Sequence, residues 1–205
     1  QSLDKRFALG TDFTRYQADP VGFGEEILKE AFTDDVKALM SSVRDYPITI
    51  AKSANATGKT HGAARVAVWF YKVFPESQVY TAAAPPEANL RKLLWGEIGS
   101  VLEKHPAVFQ QDTVSNLQIS RSARSFISGV TIPSTGSESQ REAKFSGKHA
   151  PYLLFIIDEG DAVPAALQPF GRHDRLSPVC PHGLGYPLGI RRHEHAVDRF
   201  AAFDL

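Results

Sequence analysis

Two short stretches hold residues whose types and spacing suit one chemistry. The first is SANATGKT, residues 53–60. It ends in Gly58, Lys59 and Thr60, the second half of the phosphate-loop pattern G-x-x-x-x-G-K-[ST]. In such a loop, backbone N–H groups point at phosphates and the next helix adds its positive N-terminal end. Gly58 lets the backbone come close, Lys59 neutralises the β and γ phosphates, and the Thr60 hydroxyl completes a magnesium shell. The second stretch is Asp158-Glu159, closing the apolar run LLFII about a hundred residues downstream. A carboxylate at that strand end can hold magnesium through water, and the adjacent Glu159 can polarise an attacking water. An Asp-Glu pair argues for hydrolysis over transfer to a small molecule, because water is what needs activating.

The first loop position is Ser53 and not glycine. Serine is small enough to make the turn if its φ stays negative. The candidate nucleotide-binding set is Ser53, Ala54, Asn55, Ala56, Thr57, Gly58, Lys59 and Thr60. Thr60 and Asp158 are the candidate metal ligands, and Glu159 and Lys59 the candidate catalytic groups. G-K-T alone is weak, and an ordinary strand–turn–helix with an exposed lysine is the bland alternative. The flanking elements and the acidic partner together favour the phosphate loop.

Those elements are legible in the apolar pattern. Ile48 to Ile50 favours a strand before the loop, and Ala63 to Phe74 a helix apolar nearly all round, hence buried. Upstream, Gly22 to Asp45 reads as helical, with Phe23, Ile27 and Ala31 on one face and Val36, Leu39, Met40 and Val43 on another. Gln78 to Ala82 is a short strand, and Leu90 to Leu102 a helical stripe. Leu117 to Ser120 and Phe126 to Ile132 read as two strands, and Pro133 to Lys148 as a loop. Tyr152 to Ile157 is a continuous apolar run, expected of a strand buried on both faces. Strands alternating with helices predict an α/β fold with a mostly parallel sheet.

Composition sets outer bounds. The chain has 205 residues, 42% of them apolar, and a formal net charge of zero. One domain is expected, and nucleic acid would have to be met by a local basic surface and not by bulk charge. Cys180 is the single cysteine, so no internal disulfide can form, which fits a reducing compartment. No segment reaches the roughly eighteen consecutive apolar residues of a membrane helix, and the N-terminus lacks a signal-peptide pattern. The chain starts at Gln1, which suggests trimming.

Other residues invite competing readings. Arg121, Arg124, Arg141, Lys144 and Lys148 could track a DNA backbone or simply form a solvated surface. His149 could anchor a loop near the phosphates or be structural, and Trp69 and Trp95 read as core. Cys180, His182, His193 and His195 match no common zinc spacing.

The order and spacing of these motifs resemble the ATPase domain of tailed-bacteriophage terminase large subunits, motors that package DNA into capsids. The likeness runs from the phosphate loop through the Trp69-bearing helix, TAAAP (Thr81 to Pro85) and LWGEI (Leu94 to Ile98). It continues in FSGKHAPYLLFIIDEGDAVP (Phe145 to Pro164) and includes DPVGF (Asp19 to Phe23). The resemblance covers residues 19 to 164 and implies an additional-strand, RecA-like P-loop NTPase sheet flanked by helices. It also implies ATP and Mg2+, ATP hydrolysis driving double-stranded DNA into a capsid, and the bacterial host's cytoplasm as the setting. The partners it implies are double-stranded DNA, a portal protein and a small terminase subunit, with a homo-oligomeric ring and no membrane. By carry-over, Lys59 and Thr60 bind phosphate and metal, Asp158 orients magnesium and Glu159 is the catalytic carboxylate. Some members carry an arginine inside the loop where this chain has Ala54; Lys52 or a neighbouring subunit's arginine are the other candidates. The upstream glutamine that reads adenine in related ATPases has no match, and Asp34 and Asp35 stand in that region.

Residues 1–45 read as a helical lead-in, 46–165 as the P-loop core and 166–205 as an irregular tail. Every lysine lies at or before Lys148, and periodicity vanishes after Ala166 until Ala196 to Phe203. Two readings stand: translation leaves the ancestral frame near residues 166–175, making a degraded prophage copy, or the tail is a genuine segment that docks on a partner. The nuclease domain of a packaging terminase has no room here. Rival functions are another DNA-dependent P-loop ATPase and an inactive nucleotide-binding relic.

Overall fold

The computed structural model describes residues 12–52, 58–83, 88, 90–131, 148–158 and 197–204, the last group by backbone alone. Its centre is a seven-stranded sheet ordered β1-β7-β6-β2-β5-β4-β3. The strands are β1 (Ile48–Lys52), β2 (Ser77–Ala83), β3 (Thr113–Ser115), β4 (Gln118–Ser122), β5 (Ser125–Gly129), β6 (Tyr152–Asp158) and β7 (Val197–Asp204). The run β1-β7-β6-β2-β5 is parallel throughout, and only the β5-β4-β3 edge is antiparallel. The fold is therefore α/β, with the mostly parallel sheet that alternation predicts.

The helices are α1 (Pro20–Gly22), α2 (Asp34–Asp45), α3 (Lys59–Val73) and α4 (Trp95–Lys104). A π-helical turn, Phe23–Ile27, continues α1, and another, Leu90–Leu94, leads into α4. The helical stretch expected from Gly22 to Asp45 is two pieces. Lys29 takes φ of 52° and Thr33 is extended, so the chain turns between them. Phe23 and Ile27 belong to the first piece and Val36, Leu39, Met40 and Val43 to the second, while Ala31 lies between them. In DPVGF, Asp19 caps the first turn by accepting from the Gly22 N–H at 2.8 Å, and Pro20 needs no donor at that position.

Helix α3 is the core of the molecule. Every residue from Gly62 to Val73 is buried, and the helix packs against β2, β5, β6 and α4. Each large apolar side chain buried there contributes roughly 1.5–3 kcal/mol. The lead-in shares this core: Trp69 Nε1 donates to the Tyr16 carbonyl at 2.8 Å, and Gln17 Nε2 to the Val73 carbonyl at 3.1 Å.

Two elements depart from expectation. Strand β3 was not anticipated; its three residues are all exposed, so they carry no burial pattern. The tail, expected to be irregular over 166–205, supplies β7 at 197–204, a correction at that end. β7 registers with both neighbours, Ala201 standing opposite Thr49 of β1 and Ile156 of β6. It is the additional strand that separates the loop-bearing strand from the acidic one. Residues 159–196 lie outside the described set, so the frame-break reading is untouched there.

Candidate functional site

In an open parallel sheet, ligands are met at the carboxyl ends of the strands. Strand β1 ends at Lys52, one residue before SANATGKT, and β6 ends at Asp158. Gly58 then opens α3 with φ of 82° and ψ of 17°, a left-handed conformation that glycine adopts without a Cβ penalty. A Cβ there would also meet Val36 Cγ2 at 3.3 Å. The first intrahelical bond, Gly62 N–H to the Gly58 carbonyl, is 2.8 Å, and among the described residues no side chain caps the helix. The first amides of α3, like those of any α-helix, have no partner within the helix. Gly62 is needed for close approach, since a Cβ would lie 2.9 Å from Leu39 of α2.

The chain brings together two residues 98 positions apart. Thr60 Oγ1 lies 3.2 Å from one Asp158 carboxylate oxygen and 3.5 Å from the other. Asp158 is 4% exposed, so its carboxylate is largely withdrawn from bulk water. A hydroxyl and a carboxylate converging from two elements are hard oxygen donors, the kind magnesium takes. The residues present therefore fit that ion. Lys59 is the first residue of α3, beside Thr60. Ser53, Ala54, Asn55, Ala56, Thr57 and Glu159 lie outside the described residues, as does the side chain of Lys52.

A cavity of about 350 Å³ opens beside Gly58. Its walls are the segment from Ala31 to Val36, Gly58 and His61. Phe32 and His61 meet edge to face at 6.1 Å. Phe32 and His61 give this open depression an aromatic side next to the start of α3. Asp35, from the region where an adenine reader was sought, lines this cavity.

Beneath the cavity is an ionic cluster that the sequence reading missed. Arg65 is 1% exposed. Its Nε and Nη2 donate to the two Glu30 oxygens at 2.7 and 2.8 Å, and Nη1 donates to Glu97 at 2.5 Å. His61, one turn earlier on α3, places Nδ1 3.2 Å from Glu97 and Nε2 3.6 Å from Glu30. Burial alone would raise both glutamates, but the bonds and charge of Arg65 hold them below the usual carboxylate range. Burial works against the Arg65 cation too, and its two partners more than reverse that. The available signal was an arginine inside an otherwise apolar helix, which requires carboxylates nearby.

The remaining tempting residues resolve variously. Arg121 stacks over Tyr71 and lies 3.6 Å from Asp112; Arg124 pairs with Glu76 at 3.2 Å; Lys148 sits over Tyr80. Each has an intramolecular partner, and Arg141 and Lys144 are outside the described residues. His149 is exposed. Trp69 is fully buried, and half-buried Trp95 donates to Thr81 Oγ1 at 2.9 Å. Cys180, His182, His193 and His195 lie outside the described residues. No described helix is long and apolar enough to cross a membrane.

No protein-family model matches the chain, and no curated protein matches it. Among solved structures, the HK97 bacteriophage large terminase superposes with a TM-score of 0.55 at 13% identity, covering 85% of this chain and 33% of that one. The chain shares its fold with part of that phage large terminase. The ATPase domain of the Thermus phage P74-26 large terminase is also similar, with a TM-score of 0.49 and 17% identity over 73% of this chain and 64% of that one. The chain spans about a third of the HK97 large terminase. In this chain β7 stands between the loop-bearing and acidic strands, and Thr60 and Asp158 approach each other at their carboxyl ends.

Proposed function

We propose that the chain is the ATP-hydrolysing unit of a phage DNA-packaging motor. The observation that carries this reading is the approach of Thr60 to Asp158 at the carboxyl ends of a terminase-type sheet, beside a left-handed Gly58. In this reading ATP places its phosphates over the start of α3 and its base in the cavity walled by Phe32 and His61. Thr60 and Asp158 would hold magnesium, which when bound neutralises phosphate charge. Lys59 stabilises the charge that develops on the γ-phosphate oxygens, and Glu159 orients the attacking water for in-line displacement. The partners that go with this role are double-stranded DNA, a portal protein, a small terminase subunit and further copies in a ring. The setting is the host cytoplasm.

The test is ATP turnover with magnesium by the purified chain, with and without double-stranded DNA, beside Lys59→Ala and Glu159→Gln. The reading expects turnover that falls at least a hundredfold in both variants. Magnesium-dependent binding without turnover, unchanged in Glu159→Gln, would replace the motor with an inactive nucleotide-binding relic.

A further inference from the structure

The cavity beside Gly58 has one wall that does not belong to the sheet or to α3. It is the segment from Ala31 to Val36, which leaves the π-helical turn and enters α2. Along this stretch the chain turns at Lys29, with φ of 52°, and is extended at Thr33. Backbone bonds hold its two ends: Glu30 N–H to the Gly24 carbonyl at 3.2 Å, and Lys37 N–H to the Thr33 carbonyl at 3.0 Å. What ties it to α3 at the level of the site is Glu30, immediately before the wall. Both Glu30 oxygens are taken by one buried guanidinium.

Arg65 carries a geometry that a space-filling role does not need. A planar fork set against one carboxylate fixes orientation as well as distance. The same guanidinium reaches Glu97 in the first turn of α4. His61, which lines the cavity, stands over the same two carboxylates. Cavity wall, first turn of α3 and start of α4 are thus joined at one cation.

Building on the nucleotide reading above, we propose that Arg65 is a positioning residue: through Glu30 it sets the Ala31–Val36 wall against Gly58 and His61, and so fixes the base end of the site relative to the phosphate end. It touches no substrate. The Glu97 arm anchors the cation itself and does not hold the wall.

The test compares Glu30→Gln with Glu97→Gln, isosteric changes that each remove one anion. Two readouts are taken: amide hydrogen exchange at Glu30 or its replacement and at Lys37, and magnesium-dependent binding of a fluorescent ATP analogue together with kcat. Glu30→Gln is expected to speed exchange at both amides at least tenfold. It should weaken analogue binding at least tenfold and leave kcat within threefold. Glu97→Gln should leave wall exchange within twofold. Wall exchange unchanged in Glu30→Gln overturns the proposal, as does equal loosening by both variants, which would mean general destabilisation. If the wild-type chain binds no analogue, the nucleotide reading falls, and exchange alone then decides whether Arg65 sets the wall.

Discussion

Arg65→Met removes a cation that three elements share. The variant keeps the apolar stem of the side chain but is shorter and loses three charge-assisted bonds of 2.5–2.8 Å. Its partners are unequal: the Glu30 side chain is 13% exposed and that of Glu97 38%. Glu97 can recover water, so its loss should be small. Glu30 is left as a nearly buried anion that has lost its two-pronged partner and keeps His61 at 3.6 Å. Breaking a buried pair from one side costs about 3–5 kcal/mol, most of it here at Glu30. For a chain of this size each kcal/mol moves Tm by about 2–4 °C, so calorimetry at pH 7 should show a fall of about 6–20 °C. The pH dependence has a definite sign. In the wild type both glutamates are held low, so their contribution is present above the ordinary glutamate range and lost as pH falls through the depressed values. In the variant, the stranded Glu30 takes up a proton more readily than a free glutamate. The deficit should therefore be largest at neutral pH and shrink toward pH 4. A fall under 2 °C, or a deficit independent of pH, would refute the reasoning.

Further outcomes follow from other parts of the fold. Gly58→Ala should cost about 1–2 kcal/mol because φ is 82°, with added crowding at Val36, while Gly58→Asn should cost less; chemical denaturation separates them. Lys72 is buried among Tyr71, Phe109 and Asp112, and burial pushes its amine down to about 8 against the pull of Asp112. Since the unfolded lysine holds its proton to higher pH, stability should rise from pH 8 toward pH 10, and Lys72→Met should abolish that slope in urea titrations. Ala201→Pro breaks β7 between two parallel neighbours and should prevent soluble expression; a soluble, normally melting variant would mean that β7 is not in the sheet.

Much of this architecture was legible because its signals are local. The strand–loop–helix around Gly58 and the apolar run ending at Asp158 are periodic and bounded, and both elements stand where the pattern put them. The break at Lys29 was hidden, since a left-handed lysine leaves no mark in composition and apolar residues continue on both sides. Strand β7 was obscured by the Pro- and Gly-rich stretch before it, although Ala196 to Phe203 regained periodicity. The Arg65 cluster depends on contacts between residues 32 and 35 positions apart, which no single window contains. The cavity is a property of three segments meeting, and His61 gained meaning only once Phe32 stood opposite it.

The claim on which the account rests is that Thr60 and Asp158 form the metal half of a nucleotide site. Titration of a fluorescent ATP analogue into the wild-type chain and Asp158→Asn, each with magnesium and with chelator, addresses it directly. The account predicts that magnesium tightens binding at least tenfold in the wild type and has little effect in Asp158→Asn. Binding that is absent, or that magnesium and the substitution leave unchanged, would contradict it.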